Sequence, residues 1–169
     1  ALLIVEKGGI IVPRSHTIAP LYIHYSIHHR SEDLKIIRTI IEQEYEKKYL
    51  VAFDKIIYKK NKLRPFNMFI MKWSDFSEYC SWLFPLLSKF ESKIDLASYN
   101  MYQKRVLGFI SERLLNVYLE ANKCPIIEKP IMAFSDNKNF CKTANNYISY
   151  KIRCLMLNGV NLVLKHLTL

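Results

Sequence analysis

The chain has 169 residues, enough for one domain with a sizeable core; half are hydrophobic and 24% are charged, which excludes a disordered or fibrous chain. Only 4 Gly are present, which argues against a Gly-rich phosphate loop, and no apolar run reaches the roughly 20 residues needed to cross a bilayer. The formal net charge of +10 favours an anionic partner: nucleic acid, a phosphorylated small molecule or an anionic membrane surface.

In chain order, residues 1–13 read as two short β segments around Gly8 and Gly9, ending at Pro13. The opening "ALLIV" looks like the inside of a fold, and with no Met at its start the chain is expected to be a fragment. A helix is predicted from near Pro20, carrying "LYIHYSIHH". Ser31 is placed as the N-cap of a second helix, "EDLKIIRTIIEQEYEKKY", with Glu32 and Asp33 in its first turn and Leu34, Ile36, Ile37, Ile40 and Ile41 on its apolar side. "LVAFDKIIY" reads as a short helix or a strand, "KKNKLRP" as a basic loop, and "FNMFIMK" as a buried strand. Ser74 is placed as the cap of a helix that contains Pro85, where a kink is expected. After a loop, "KIDLASYN", a long helix spans 101–121, followed by the extended "CPIIEKPIMAF" and a basic tail, 142–169, that is helical in pattern. Short strands scattered among helices point to an α/β layer arrangement rather than a bundle.

Few side chains form a recognisable constellation. His24 and His28 are four apart and share a helix face, as metal pairs do, but no third ligand is evident, so no metal site is assigned. Cys80, Cys124, Cys141 and Cys154 lie far apart and read as reduced structural thiols of a cytosolic protein. The basic run Lys59, Lys60, Lys62 and Arg64 has no interleaved base-facing pattern, so nucleic acid is not expected as a partner. On the 102–120 helix, Arg105, Gly108, Glu112 and Leu115 follow a three-to-four spacing along one face. Gly108 leaves room for a close approach, Arg105 can fork onto a carboxylate or phosphate, and Glu112 can accept a hydroxyl, so this helix is a candidate pocket edge.

Four stretches in order, "HRSEDLKIIRTII", "AFDKII", "FNMFIMKWSDFSEYCSWLFPLL" and "IDLASYNMYQKRVLGFISERLLNVYL", resemble the DUF4422 family, bacterial glycosyltransferases of capsular and lipopolysaccharide biosynthesis clusters. The resemblance covers roughly residues 10–130. It implies an α/β, GT-A-like glycosyltransferase fold, here a helix-rich C-terminal portion with a few short strands. Residues 1–135 are then the C-terminal part of the domain, and 136–169 a basic amphipathic tail. The family's N-terminal strands and their His-Tyr-Arg-Arg motif have no counterpart here, and no D-x-D motif occurs, so the segment is expected to be inactive alone.

By the same resemblance, Asn67, Gln103, Arg105 and Glu112 border the donor sugar and the acceptor. Glu112 is the candidate base, with Asp54 and Asp95 as competing carboxylates, and Arg105 counters diphosphate charge. His29 and Asp33 match family positions, with His29 either binding substrate or orienting its loop. The implied partners are a nucleotide-sugar donor and a lipid-linked saccharide acceptor. The implied location is the cytoplasm, with peripheral contact at the inner membrane through the tail. The cofactor stays unknown, a divalent cation held mainly by the absent N-terminal part being one option. The alternative to an enzyme is a non-catalytic basic module that binds nucleic acid or a membrane surface.

Overall fold

The computed structural model describes residues 5–131. The tail read from 136 onward, with Cys141 and Cys154, lies outside the described residues. Strand β1 (Ile10–Pro13) pairs in parallel with β4 (Ile126–Lys129), Ile10 opposite Ile126 and Pro13 opposite Lys129. A parallel pair needs a crossover, and here the crossover takes in nearly all of the described residues. It contains β2 (His16–Thr17), α1 (Leu21–His28), α2 (Ser31–Glu44), α3 (Lys47–Lys59), β3 (Lys62–Leu63), α4 (Trp73–Ser92) and α5 (Val106–Ala121). Two short 3-10 turns, Leu96–Ser98 and Gln103–Arg105, precede α5. β2 and β3 form a separate antiparallel pair.

The helices pack through the stripes their sequences define. α2 buries Leu34, Ile37, Ile40 and Ile41, and α3 buries Tyr49, Ala52, Phe53, Ile56 and Ile57. α5 is buried almost all round and packs against both α3 and α4. Tyr49, Tyr79, Trp82 and Tyr118 form one aromatic nucleus among these helices, with Tyr49 stacked on Trp82 at 5.0 Å and Tyr79 edge-on to Tyr118 at 5.0 Å. Such pairs contribute about 0.5–1.5 kcal/mol each beyond the area they bury. α4 runs continuously through Pro85, which sits exposed on the solvent side, where the carbonyl it leaves unbonded meets water.

Several expectations are corrected. Before Gly8 the chain is helical at 5–6 and then turns, with Gly8 at φ 83° and its N–H donated to Val5 O, so among the described residues only one strand forms there. The predicted helix "EDLKIIRTIIEQEYEKKY" breaks at Tyr45 and Glu46, both extended, and "LVAFDKIIY" belongs to the helix that restarts at Lys47. Ser31 and Ser74 are not caps; they lie inside their helices and bond the neighbouring Glu32 and Asp75. The long helix proper begins at Val106, after the 3-10 turn.

The largest correction concerns "FNMFIMK". Phe66 and Asn67 both take positive φ, 69° and 50°, which no strand allows. Only Ile70 bridges to β1, through Ile11. Phe66, Met68 and Ile70 are exposed, while Phe69 and Met71 pack on the core.

Candidate functional site

The candidate surface forms where the start of α5 meets the end of α1 and the turn at 64–67. It is built from side chains far apart in sequence. Asn116, 1% exposed on α5, brackets the backbone of Arg64: its Oδ1 accepts from Arg64 N and its Nδ2 donates to Arg64 O, both at 3.2 Å. One helical turn earlier, Glu112 Oε1 accepts from Phe66 N at 2.7 Å. Tyr79 donates its hydroxyl to Asn67 Oδ1 at 3.3 Å. Arg64 also reaches β4, with Nη2 2.9 Å from Glu128 Oε1. Four anchors thus hold two successive left-handed residues in place. Behind this turn a cavity of about 210 Å³ is lined by Arg64, Asn116, Glu120, Lys123 and Cys124.

Beneath Glu112 lies Arg113, 4% exposed. Its Nη1 donates to Glu112 Oε2 at 2.5 Å and to Phe109 O at 3.0 Å, and the guanidinium sits 5.2 Å from the centre of the Tyr25 ring. Burial pulls its pKa below the ordinary arginine value, and the Glu112 carboxylate opposes that shift. Arg113 Nη2 also lies 3.5 Å from His24 Nδ1.

The neighbouring histidines feel this cation. Burial, then Arg113, then His28 push His24 down to about 4. Burial and Arg113 likewise take His29 to about 4, with the side chain of Gln103 opposing the shift. His29 stacks on Phe109 at 4.0 Å and clusters with Tyr102 at 5.7 Å, and its Nδ1 is buried without a partner. Both histidines are held neutral in the fold, so their stabilising contribution is complete above the ordinary value of 6.5 and is lost as pH falls towards about 4. Thermal melts between pH 7.5 and 4.5 should show Tm dropping through that window. His29→Phe, which keeps the ring stack, should remove about half of the slope; an unaltered slope would take His29 out of the titration.

The predicted site residues separate into two groups. Glu112, Asn67, Gln103, Arg105 and His29 all lie on or beside the α5 entry. Arg105 is exposed, with its guanidinium 5.5 Å from the Phe109 ring centre, and Gly108 faces open space, where a Cβ would meet nothing within 4 Å. Gln103 donates Nε2 to His28 O at 2.7 Å and keeps a buried Oε1 without a partner. The face of Arg105, Gly108, Glu112 and Leu115 therefore runs from solvent into the core, ending at Leu115, which is fully buried. The other two carboxylates are engaged elsewhere. Asp54 accepts both Nε and Nη2 of Arg38, at 2.9 and 3.0 Å. Asp95 caps a 3-10 turn by accepting from Ala97 N.

The roles of Arg113, His24 and Asp33 in this junction are not visible in the local sequence. Asp33, a first-turn acid that also matches a family position, is fully buried. It accepts the hydroxyls of Tyr99 at 2.6 Å and Tyr25 at 3.1 Å. It links α1, α2 and the loop before α5, and so fixes the α1 end of the site. Arg30 closes the same junction by lying 4.0 Å over the Tyr99 ring and bonding Ser98. Among the described residues, no group of three or more His, Cys, Asp or Glu side chains is arranged to hold a metal, and no helix is long and apolar enough to cross a membrane.

A solved structure shares this arrangement of elements. An apo structure of the WbbM bifunctional glycosyltransferase is similar at a TM-score of 0.65 and 29% identity, over 73% of this chain and 23% of that one. The chain thus spans under a quarter of the length of that protein. No curated protein matches. The fold is α/β, rich in helix with a few short strands, and is consistent with the expected GT-A-like arrangement. The family described as "Domain of unknown function (DUF4422)" matches residues 2–123, most of the chain, and the protein belongs to that family.

Proposed function

We propose that the protein is a glycosyltransferase that moves a sugar from a nucleotide-sugar donor to a lipid-linked precursor of a surface polysaccharide. The likeness to the WbbM bifunctional glycosyltransferase, at 29% identity across nearly three quarters of this chain, carries the reading. The geometry at the α5 entry supports it. An exposed arginine, an amide with an unpartnered oxygen and a fixed carboxylate stand together at an open helix face. In this reading Arg105 counters the donor's diphosphate charge, Gln103 and Asn67 bind sugar hydroxyls, and Glu112 takes the proton from the acceptor hydroxyl.

Of the three carboxylates, Glu112 is favoured because Asp54 and Asp95 are occupied by Arg38 and by the turn at Ala97. Glu112 also makes two bonds, yet each of its oxygens keeps a further lone pair for an acceptor hydroxyl. The work is proposed to take place in the cytoplasm, at the inner face of the membrane. A screen of nucleotide-sugar donors on the full-length protein, read by nucleotide release with and without saccharide acceptors, tests this. Release with none of the common donors would defeat the reading.

A further inference from the structure

We propose that Phe66 is a saccharide-stacking residue, displayed by a strained turn whose rim supplies hydroxyl-binding groups. The proposal rests on the glycosyltransferase reading and adds an acceptor-binding subsite to it. A phenylalanine at φ 69° followed by an asparagine at φ 50° is a costly pairing, because L side chains crowd the backbone in the left-handed region. The side chain gains little from burial in return, the residue being 62% exposed. The fold nonetheless holds this turn through Glu112, Asn116, Tyr79 and the ion pair of Arg64 with Glu128. Strain that is held this firmly in order to expose a ring points to a ligand for the ring.

The rim says what kind of ligand. Asn67 gives its carbonyl oxygen to Tyr79, which leaves its amide NH2 as a donor without a partner among the described residues. Glu112, bonded to the Phe66 N–H, offers carboxylate lone pairs one helical turn from the open space at Gly108. A flat apolar face flanked by one donor and one acceptor matches a pyranose, whose C–H face is apolar and whose edge carries hydroxyls. The turn stands open to solvent rather than enclosed, which suits an extended acceptor glycan better than a small donor.

The test is binding of an oligosaccharide panel cut from bacterial surface polysaccharides to the full-length protein, followed by calorimetry. Phe66→Gly relieves the backbone strain and removes the ring, so it should leave Tm unchanged or raised while weakening glycan binding by about tenfold or more. Phe66→Trp should retain binding, because it keeps an aromatic face. Equal binding by the wild type and Phe66→Gly would overturn the proposal, as would a wild type that binds no glycan of the panel. A lowered Tm in Phe66→Gly with glycan binding intact would instead mean that the ring packs on protein, and would equally overturn it. Nucleotide release from donors is measured separately, so a failed subsite leaves the transferase reading to stand or fall on that assay.

Discussion

Asp33→Ala should lower stability by about 2–4 kcal/mol, a large loss for a polar residue at the start of a helix. Two buried tyrosine hydroxyls, on Tyr25 and Tyr99, both donate to this carboxylate. Deleting it leaves two donors unsatisfied, at about 1–3 kcal/mol each, and opens a small void where three segments meet. Part of that loss is offset because the variant no longer buries a carboxylate.

Burial is also the main reason that the pKa of Asp33 lies above the ordinary 3.8, against the hydrogen bonds of the two tyrosines. The sign follows from linkage. The folded protein takes up this proton before the unfolded chain does, so the contribution is complete below 3.8 and is lost as pH rises through the folded value. Asp33 therefore opposes the histidines, which lose stability as pH falls. Asp33→Asn, similar in shape and able to accept from one tyrosine while its amide donates to the other, should cost under about 1.5 kcal/mol. Urea unfolding of the two variants at pH 7 decides the matter: equal, small losses would show that the tyrosine hydroxyls find other partners.

How much of this was legible in the sequence depends on the range of the interactions. The apolar stripe of α2 is local, and Leu34, Ile37, Ile40 and Ile41 are all buried as the periodicity implies. The face of α5 was legible for the same reason: Arg105 and Gly108 do stand at its open end. Contacts between distant segments were not. Nothing near Asp33 in sequence announces Tyr99, 66 positions away, so its spacing shows only a helix-start acid and the family resemblance only that the position matters. Glu112 and Phe66 are 46 positions apart, and Asn116 and Arg64 are 52 apart. These bonds, rather than any local preference, hold the turn that displaces the expected strand at "FNMFIMK". Its composition is strand-like, and no Gly or Asn-Gly pair signals a left-handed residue at Phe66. The break at Tyr45 has no local cause either. Ile41, Tyr45 and Tyr49 keep a four-residue spacing as if one helix continued, and the break lets Tyr45 pack edge-on against Tyr49 and Trp82.

Glu112→Gln is expected to reduce glycosyl transfer by the full-length protein by about 10²-fold or more, the usual scale for loss of a general base. The substitution separates chemistry from structure because the amide oxygen can still accept the Phe66 N–H, so the 64–67 turn keeps its anchor. What is lost is the negative charge beside Arg113, which is almost fully buried. That loss should destabilise the fold by about 1–3 kcal/mol, since a buried cation then keeps only its bonds to neutral groups. The two effects are told apart by their readouts. A base leaves kcat reduced at every substrate concentration and removes the acidic limb of the pH–rate profile, while an anchor for the turn raises the acceptor KM and leaves the profile in place. Near-wild-type kcat at saturating acceptor would strike Glu112 from the chemistry and leave it as the residue that holds Phe66 and Asn67 against the open face of α5.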